Sequence, residues 1–215
     1  MEKFDVCIPT LNSEKTLEKC LQSIVKIIPY RKIIIIDGYS KDKTIEIAKK
    51  YNCQILRSKK SLGEVREILM NKVKTNWFFF IDADVEINEK WFKILINSRN
   101  EKLGAIHGFA LTYGILGFLR KILLFLKFKF RIKQRGFTSN TLLRKTAVKE
   151  VKLPKLKRLE DIFLQKHIEK NKYEWKFALA FCKHMKKETL VLKEALRDLK
   201  ELSKKEGIVK AVLKI

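Results

Sequence analysis

A chain of 215 residues with 46% apolar and 33% charged side chains is long enough to bury one ordinary core and too apolar for wholesale disorder. Its four cysteines, Cys7, Cys20, Cys53 and Cys182, have no paired spacing. That excludes a zinc cluster or disulfide framework and favours a reducing compartment. The formal net charge of +24 points to an anionic partner.

Strand-like sequence begins within a few residues of the start, so no signal peptide is expected. Phe4 to Pro9 reads as a buried strand. Thr10-Leu11-Asn12-Ser13 supplies turn and cap chemistry, and a helix is predicted from Glu14 to about Ile27, with Leu17, Leu21, Ile24 and Ile28 on one face and Pro29 beyond it. Lys32 to Ile36 is a β-branched run expected of a strand covered on both faces. A polar loop from Asp37 to Lys43 opens a helix at Thr44 to Lys50. Gln54 to Leu56 predicts a short strand, Ser61 to Val73 a helix, and Trp77 to Ile81 a strongly apolar strand.

This alternation implies an α/β fold, a mostly parallel Rossmann-like sheet with helices on both faces. Ligands bind such sheets beyond the carboxyl ends of the strands. The polar groups there are Thr10 and Asn12, then Asp37 to Asp42, then Asp82 to Asp84. Three polar loops should therefore converge on one crevice. Asp82 and Asp84, at i and i+2 after a buried strand, suit Mg²⁺ or Mn²⁺, which takes one or two carboxylates and fills its shell with water and phosphate oxygens. The alternative is that the pair caps a helix starting near Asn88.

Four segments carry a family resemblance: Ile8-Pro9-Thr10-Leu11-Asn12, Ile36-Asp37-Gly38-Tyr39-Ser40-Lys41-Asp42-Lys43-Thr44, Leu62-Gly63-Glu64-Val65-Arg66 and Phe80-Ile81-Asp82-Ala83-Asp84-Val85. In this order they resemble the motifs of the inverting family 2 glycosyltransferases, which have the GT-A fold. The resemblance implies a nucleotide-diphosphate sugar donor and a divalent metal, Mn²⁺ or Mg²⁺. Pro9, Thr10, Asn12, Asp37, Arg66 and Asp82 would bind the donor, and Asp82 and Asp84 the metal. Two departures bear on the nucleotide base: Gly38 follows Asp37 where a second acid is common, and Tyr39 stands at a usual glycine. A nucleotidyltransferase would share fold and metal, but Pro9-Thr10-Leu11-Asn12 is not a glycine-rich triphosphate loop.

Further on, Leu159-Glu160-Asp161-Ile162-Phe163 resembles the family's Glu-Asp pair, which implies Asp161 as the general base. A hydroxyl nucleophile needs such a carboxylate, although a helix N-terminus also favours an acid there for local reasons. His184 stands where some relatives supply a further metal ligand, with a structural role as the alternative. His107 and His167 have no motif around them. Gly136-Phe137-Thr138-Ser139-Asn140 resembles the strand lining the acceptor side, or a plain turn. The expected division is a catalytic domain at 1–187, its donor half at 1–100 and acceptor half at 101–187, followed by an amphipathic helical tail at 188–215.

Charge is concentrated in the second half. Residues 1–100 hold 19 basic and 13 acidic side chains, residues 101–215 hold 29 and 11, and no acid lies between Glu101 and Glu150. Tyr113 to Leu126 is mostly apolar, and Lys127 to Lys133 alternates basic with apolar residues, a pattern open to both helix and strand. No stretch is long and apolar enough to predict a membrane-spanning helix. A peripheral cytoplasmic enzyme at an anionic membrane face is expected, with a lipid-linked acceptor such as a polyprenyl phosphate or lipid-borne glycan. Core packing and a dimer interface are the other readings of 115–135. A non-catalytic basic domain binding membrane or nucleic acid is the alternative function. Nucleic acid is the less favoured partner, because acidic loops repel a polyanion.

Overall fold

The computed structural model describes residues 2–112, 114–130, 136–155 and 160–185. The tail expected at 188–215, Leu159, and the 131–133 end of the alternating segment lie outside the described residues.

The first half follows the predicted order. Strand β1 (Phe4–Thr10) leads to helix α1 (Glu14–Ile27), β2 (Tyr30–Asp37), α2 (Thr44–Lys50), β3 (Gln54–Arg57), α3 (Leu62–Lys72) and β4 (Trp77–Phe80). Each boundary has a local cause. Helix α1 buries Leu17, Cys20, Leu21 and Ile24 on one stripe, with Glu14 in its first turn and Lys26 in its last, charges that suit the helix dipole. In α3 the Ser61 side chain and Glu64 form a reciprocal capping box.

Pairing is parallel through β3-β2-β1-β4, with Thr10 level with Asp37 and Cys7 level with Phe80. The carboxyl ends of β2, β1 and β4 therefore open on the same edge. The second half departs from simple alternation. It comprises β5 (Val85–Glu86), α4 (Glu89–Asn97), β6 (Leu103–Leu111), α5 (Ile115–Lys129), β7 (Thr141–Arg144), a single 3₁₀ turn at Thr146–Val148, α6 (Glu160–Lys170) and β8 (Glu174–His184). The sheet continues β4-β7-β6-β8-β5, with β7 antiparallel to both neighbours, β8 parallel to β6, and β5 antiparallel to β8. It is the α/β sheet expected, parallel in its first half and mixed in its second.

Apolar side chains fill both faces of the sheet. One core packs Val6, Ile8, Ile33, Ile35 and Phe79 under α1, α2 and α4. The other packs Cys7, Ile34, Ile36, Phe78 and Phe80 under α3 and α6. This explains the unbroken apolar runs of β2 and β4, since neither face meets water. The segment left open between helix and strand is helical from Ile115 to Lys129. Residues 136–140 are turn rather than strand, and the pairing strand starts one residue later at Thr141. Among the described residues no helix is long and apolar enough to cross a membrane.

Candidate active site

The loops after β1 and β2 are knitted into one wall. Asp37, fully buried, accepts from the Thr10 hydroxyl at 3.1 Å and the Ser40 backbone N–H at 2.9 Å, and also from the Ser40 hydroxyl. The Asn12 side chain accepts from the Lys41 N–H at 2.9 Å, while the Asn12 N–H donates to Ser40 Oγ at 2.8 Å. Asp42 ties the same loop to helix α1 by accepting from Glu14 N–H at 3.0 Å and Thr44 N–H at 3.1 Å. These donors satisfy the buried Asp37 carboxylate and fix the shape of the loop. Pro9 is half-buried beside Thr10. Tyr39 has φ 65°, the left-handed region that suits the glycine usual there. Its exposed ring lies 5.7 Å from the Arg57 guanidinium and 5.2 Å from Lys59 Nζ.

Asp82 and Asp84 follow β4 at the adjoining edge. Ala83 and Val85 between and after them are buried, while Asp82 and Asp84 are half-buried in a turn closed by the Val85 N–H donating to the Asp82 carbonyl at 3.1 Å. They do not cap the following helix: Asn88 does, accepting from the Trp91 N–H at 2.9 Å. Antiparallel pairing sets Val85 opposite His184 and leaves His184 Nε2 3.7 Å from Asp84 Oδ1. That gap is too long for a direct hydrogen bond and short enough for both atoms to reach one cation. Among the described residues no three His, Cys, Asp or Glu side chains form a closed metal cluster. Two carboxylates and an imidazole still form a donor set that a divalent cation accepts when phosphate oxygens and water complete its shell. Behind the pair, burial first and then the Asp84 and Asp82 charges push the Cys20 thiol well up.

Arg66, on α3, links the turn after β4 to helix α6. It is buried, donates from Nη1 to Thr138 Oγ1 at 2.6 Å and to Glu160 Oε1, and sets Nη2 3.7 Å from Asp82 Oδ1. Burial lowers the guanidinium's pKa, and the negative charges of Asp82 and Asp161 oppose that shift. Asp161, also buried, heads helix α6 and accepts from the Ile162 N–H at 3.0 Å. One cation thus lies within the field of three carboxylates from two chain segments, Asp82, Glu160 and Asp161. Gly63 permits the approach: a Cβ there would lie 2.6 Å from the Pro154 carbonyl and 3.3 Å from Glu160 Cβ.

Every predicted site residue lies along this edge or on Arg66. Sequence reading missed Glu160 as the direct partner of Arg66, and Thr138 and Ser40 as anchors. No local pattern pointed to Glu160 as that partner, because its bond to Arg66 spans 94 residues. His107 is buried, 2.9 Å from Thr141 Oγ1, and packed against Phe109, Phe137 and Phe177. His167 contacts the Lys149 carbonyl at 2.9 Å.

A half-parallel sheet with hydrogen-bonded polar loops at its strand ends, an Asp-Ala-Asp turn after β4 and a carboxylate-headed helix α6 is the architecture of the GT-A glycosyltransferase fold. Residues 5–147 match the Glycosyl transferase family 2 profile, and the chain belongs to that family. It is 29% identical over 103 residues to poly(ribitol-phosphate) beta-N-acetylglucosaminyltransferase TarS of Staphylococcus aureus, covering 43% of this chain and 18% of that protein. The chain thus matches less than a fifth of that relative's length. Its fold is similar to glucosyl-3-phosphoglycerate synthase from Mycobacterium tuberculosis in complex with Mn²⁺, UDP and glucosyl-3-phosphoglycerate, with TM-score 0.65 and 16% identity over 89% of this chain and 75% of that one. The same enzyme with Mn²⁺ and UDP-glucose aligns at TM-score 0.66 and 16% identity over 94% and 78%.

Proposed function

We propose that this chain transfers a sugar from a nucleotide diphosphate to an acceptor hydroxyl with inversion at the anomeric carbon, using Mn²⁺ or Mg²⁺ held by Asp82, Asp84 and His184. The observation that carries the reading is the buried Arg66, 3.7 Å from Asp82 and bonded to Glu160, the neighbour of Asp161 at the head of α6. Two carboxylates on opposite sides of one crevice suit a single displacement.

In this account Pro9, Thr10, Asn12 and Asp37 form the nucleotide wall, and Asp82 and Arg66 hold the ribose and diphosphate end. A bound divalent cation supplies Lewis-acid neutralisation of the diphosphate. Asp161 takes the proton of the acceptor hydroxyl as its oxygen bonds to the anomeric carbon. The bond from that carbon to the diphosphate oxygen breaks, and the nucleoside diphosphate departs with the electron pair. General-base assistance of this kind is worth about 10²- to 10⁴-fold.

The acceptor in this reading is lipid-linked and presented at an anionic membrane face, with the enzyme peripheral to it. The acid-free stretch between Glu101 and Glu150 supports that choice. The domain division at 187 is part of the same proposal. Because the solved neighbours hold UDP, uridine nucleotides are the first donors to try. The test is nucleoside diphosphate release from a panel of nucleotide sugars, wild type against Asp161→Asn. A loss of about 10²-fold or more in kcat with little change in donor binding is expected. An unchanged kcat removes Asp161 from the base role, and retention of anomeric configuration by proton NMR contradicts the single displacement.

A further inference from the structure

Helix α5 is the largest exposed apolar feature among the described residues. Ile115 is 77% exposed, Phe118 64% and Phe125 45%, and Leu119, Ile122 and Leu126 are also open to solvent. At about 100° per residue these six fall within an arc of about 120°. Leu124, on the opposite side, is buried. A single solvent-facing stripe of this size on a folded domain marks an interaction surface rather than ordinary scatter.

Three occupants are conceivable, and charge separates them. The helix contains Arg120, Lys121, Lys127 and Lys129 and no acid. A second copy packed on this face through a two-fold axis would bring Lys121 and Lys129 against their own counterparts. The chain's own 186–215 segment is net basic as well, with nine Lys or Arg against five Glu or Asp. An anionic lipid surface alone complements both the apolar stripe and the cations. Exposed Lys121 and Lys129 sit beside and within that stripe, the arrangement of a helix lying in a lipid interface.

We infer that α5 docks the enzyme flat onto an anionic bilayer, its Ile115–Leu126 stripe in the interface. This rests on the lipid-linked acceptor reading above and names the element that makes it possible. The position serves the site: Phe125 packs on Phe181 at 5.8 Å between centroids, and Lys121 Nζ lies 5.4 Å from the same ring. Phe181 precedes His184 by three residues on β8. A docked α5 therefore holds the strand that carries His184 close to the lipid headgroups, where a lipid-borne acceptor presents its reactive end.

The test is flotation of the full chain with vesicles of phosphatidylcholine alone, or of phosphatidylcholine and phosphatidylglycerol in equal parts, at low and high salt. Phe118→Glu and Ile122→Glu are compared with wild type, with thermal stability, sedimentation state and the nucleotide-plus-Mn²⁺ thermal shift read on the same samples. Wild type should float only with phosphatidylglycerol, and each variant should bind at least about tenfold more weakly while keeping its melting temperature and nucleotide shift. Wild type that fails to float, or variants that float equally, overturn the docking helix. A dimer that the substitutions dissociate assigns the face to a second copy, and a large fall in melting temperature assigns it to the chain's own packing. Either outcome also overturns the proposal. If the nucleotide shift is absent in wild type, it is the transferase reading that fails, whatever the vesicles do.

Discussion

Replacing Glu160 by leucine tests the join between helices α3 and α6. Glu160 and Arg66 are both buried, with side chains 3% and 8% exposed. Removing one partner of a buried ion pair costs about 3–5 kcal/mol, because the other charge is left in a poor solvent. Arg66 keeps its bond to Thr138 and a neighbour in Asp82 at 3.7 Å, which puts the expected loss at the low end, about 3 kcal/mol. For a domain of this size that is a fall in melting temperature of about 6–12 °C. Urea unfolding of Glu160→Leu, Arg66→Met and the double variant measures it. The double variant should recover much of the loss, since apolar replacement of a whole buried pair is often neutral or better. A single-variant loss below about 1 kcal/mol, or a double variant losing the sum of the singles, refutes the reasoning.

Two further predictions concern elements that position the site. Gly63→Ala should destabilise by about 1–2 kcal/mol despite alanine's better helix propensity, because the new Cβ lies 2.6 Å from a backbone carbonyl. A raised melting temperature would contradict the close α3 to Pro154 contact. For Asp42, burial alone raises the carboxyl, but hydrogen bonds from the Thr44 side chain and the Glu14 and Thr44 N–H groups outweigh it and hold the pKa below the ordinary value. A depressed folded pKa means this contribution is present above the ordinary carboxylate range and fades as pH falls through the depressed value. Thr44→Val should move the Asp42 pKa back up in a carbon-detected NMR titration, and no movement would remove the Thr44 bond from the account.

The first half was legible because its patterns are local. Apolar periodicity, Pro29, the Ser61 cap and two-sided burial of Ile33–Ile36 set each element within a residue or two of its observed ends. The second half was less so. Strand β6 reads Leu-Gly-Ala-Ile-His-Gly-Phe-Ala-Leu, with glycines that weaken a strand signal and are needed only by neighbours far in sequence. Gly108 sits where a Cβ would clash with Trp91 on α4. Strand β8 alternates exposed and half-buried residues to Phe177, and its pairing with β6 and β5 is nonlocal. The approach of His184 to Asp84 follows from that pairing, so sequence named the histidine by resemblance but could not derive its position. The Arg66–Glu160 bond spans 94 residues and was hidden for the same reason.

The measurement that bears most directly on the central claim is calorimetric binding of UDP and other nucleoside diphosphates with and without Mn²⁺ or Mg²⁺, wild type against Asp84→Ala and His184→Ala. One diphosphate should bind wild type in a metal-dependent way, Asp84→Ala should abolish the metal dependence, and His184→Ala should weaken the metal by about 10- to 100-fold. Metal-independent binding that survives Asp84→Ala, or no binding of any nucleotide by wild type, would contradict the account.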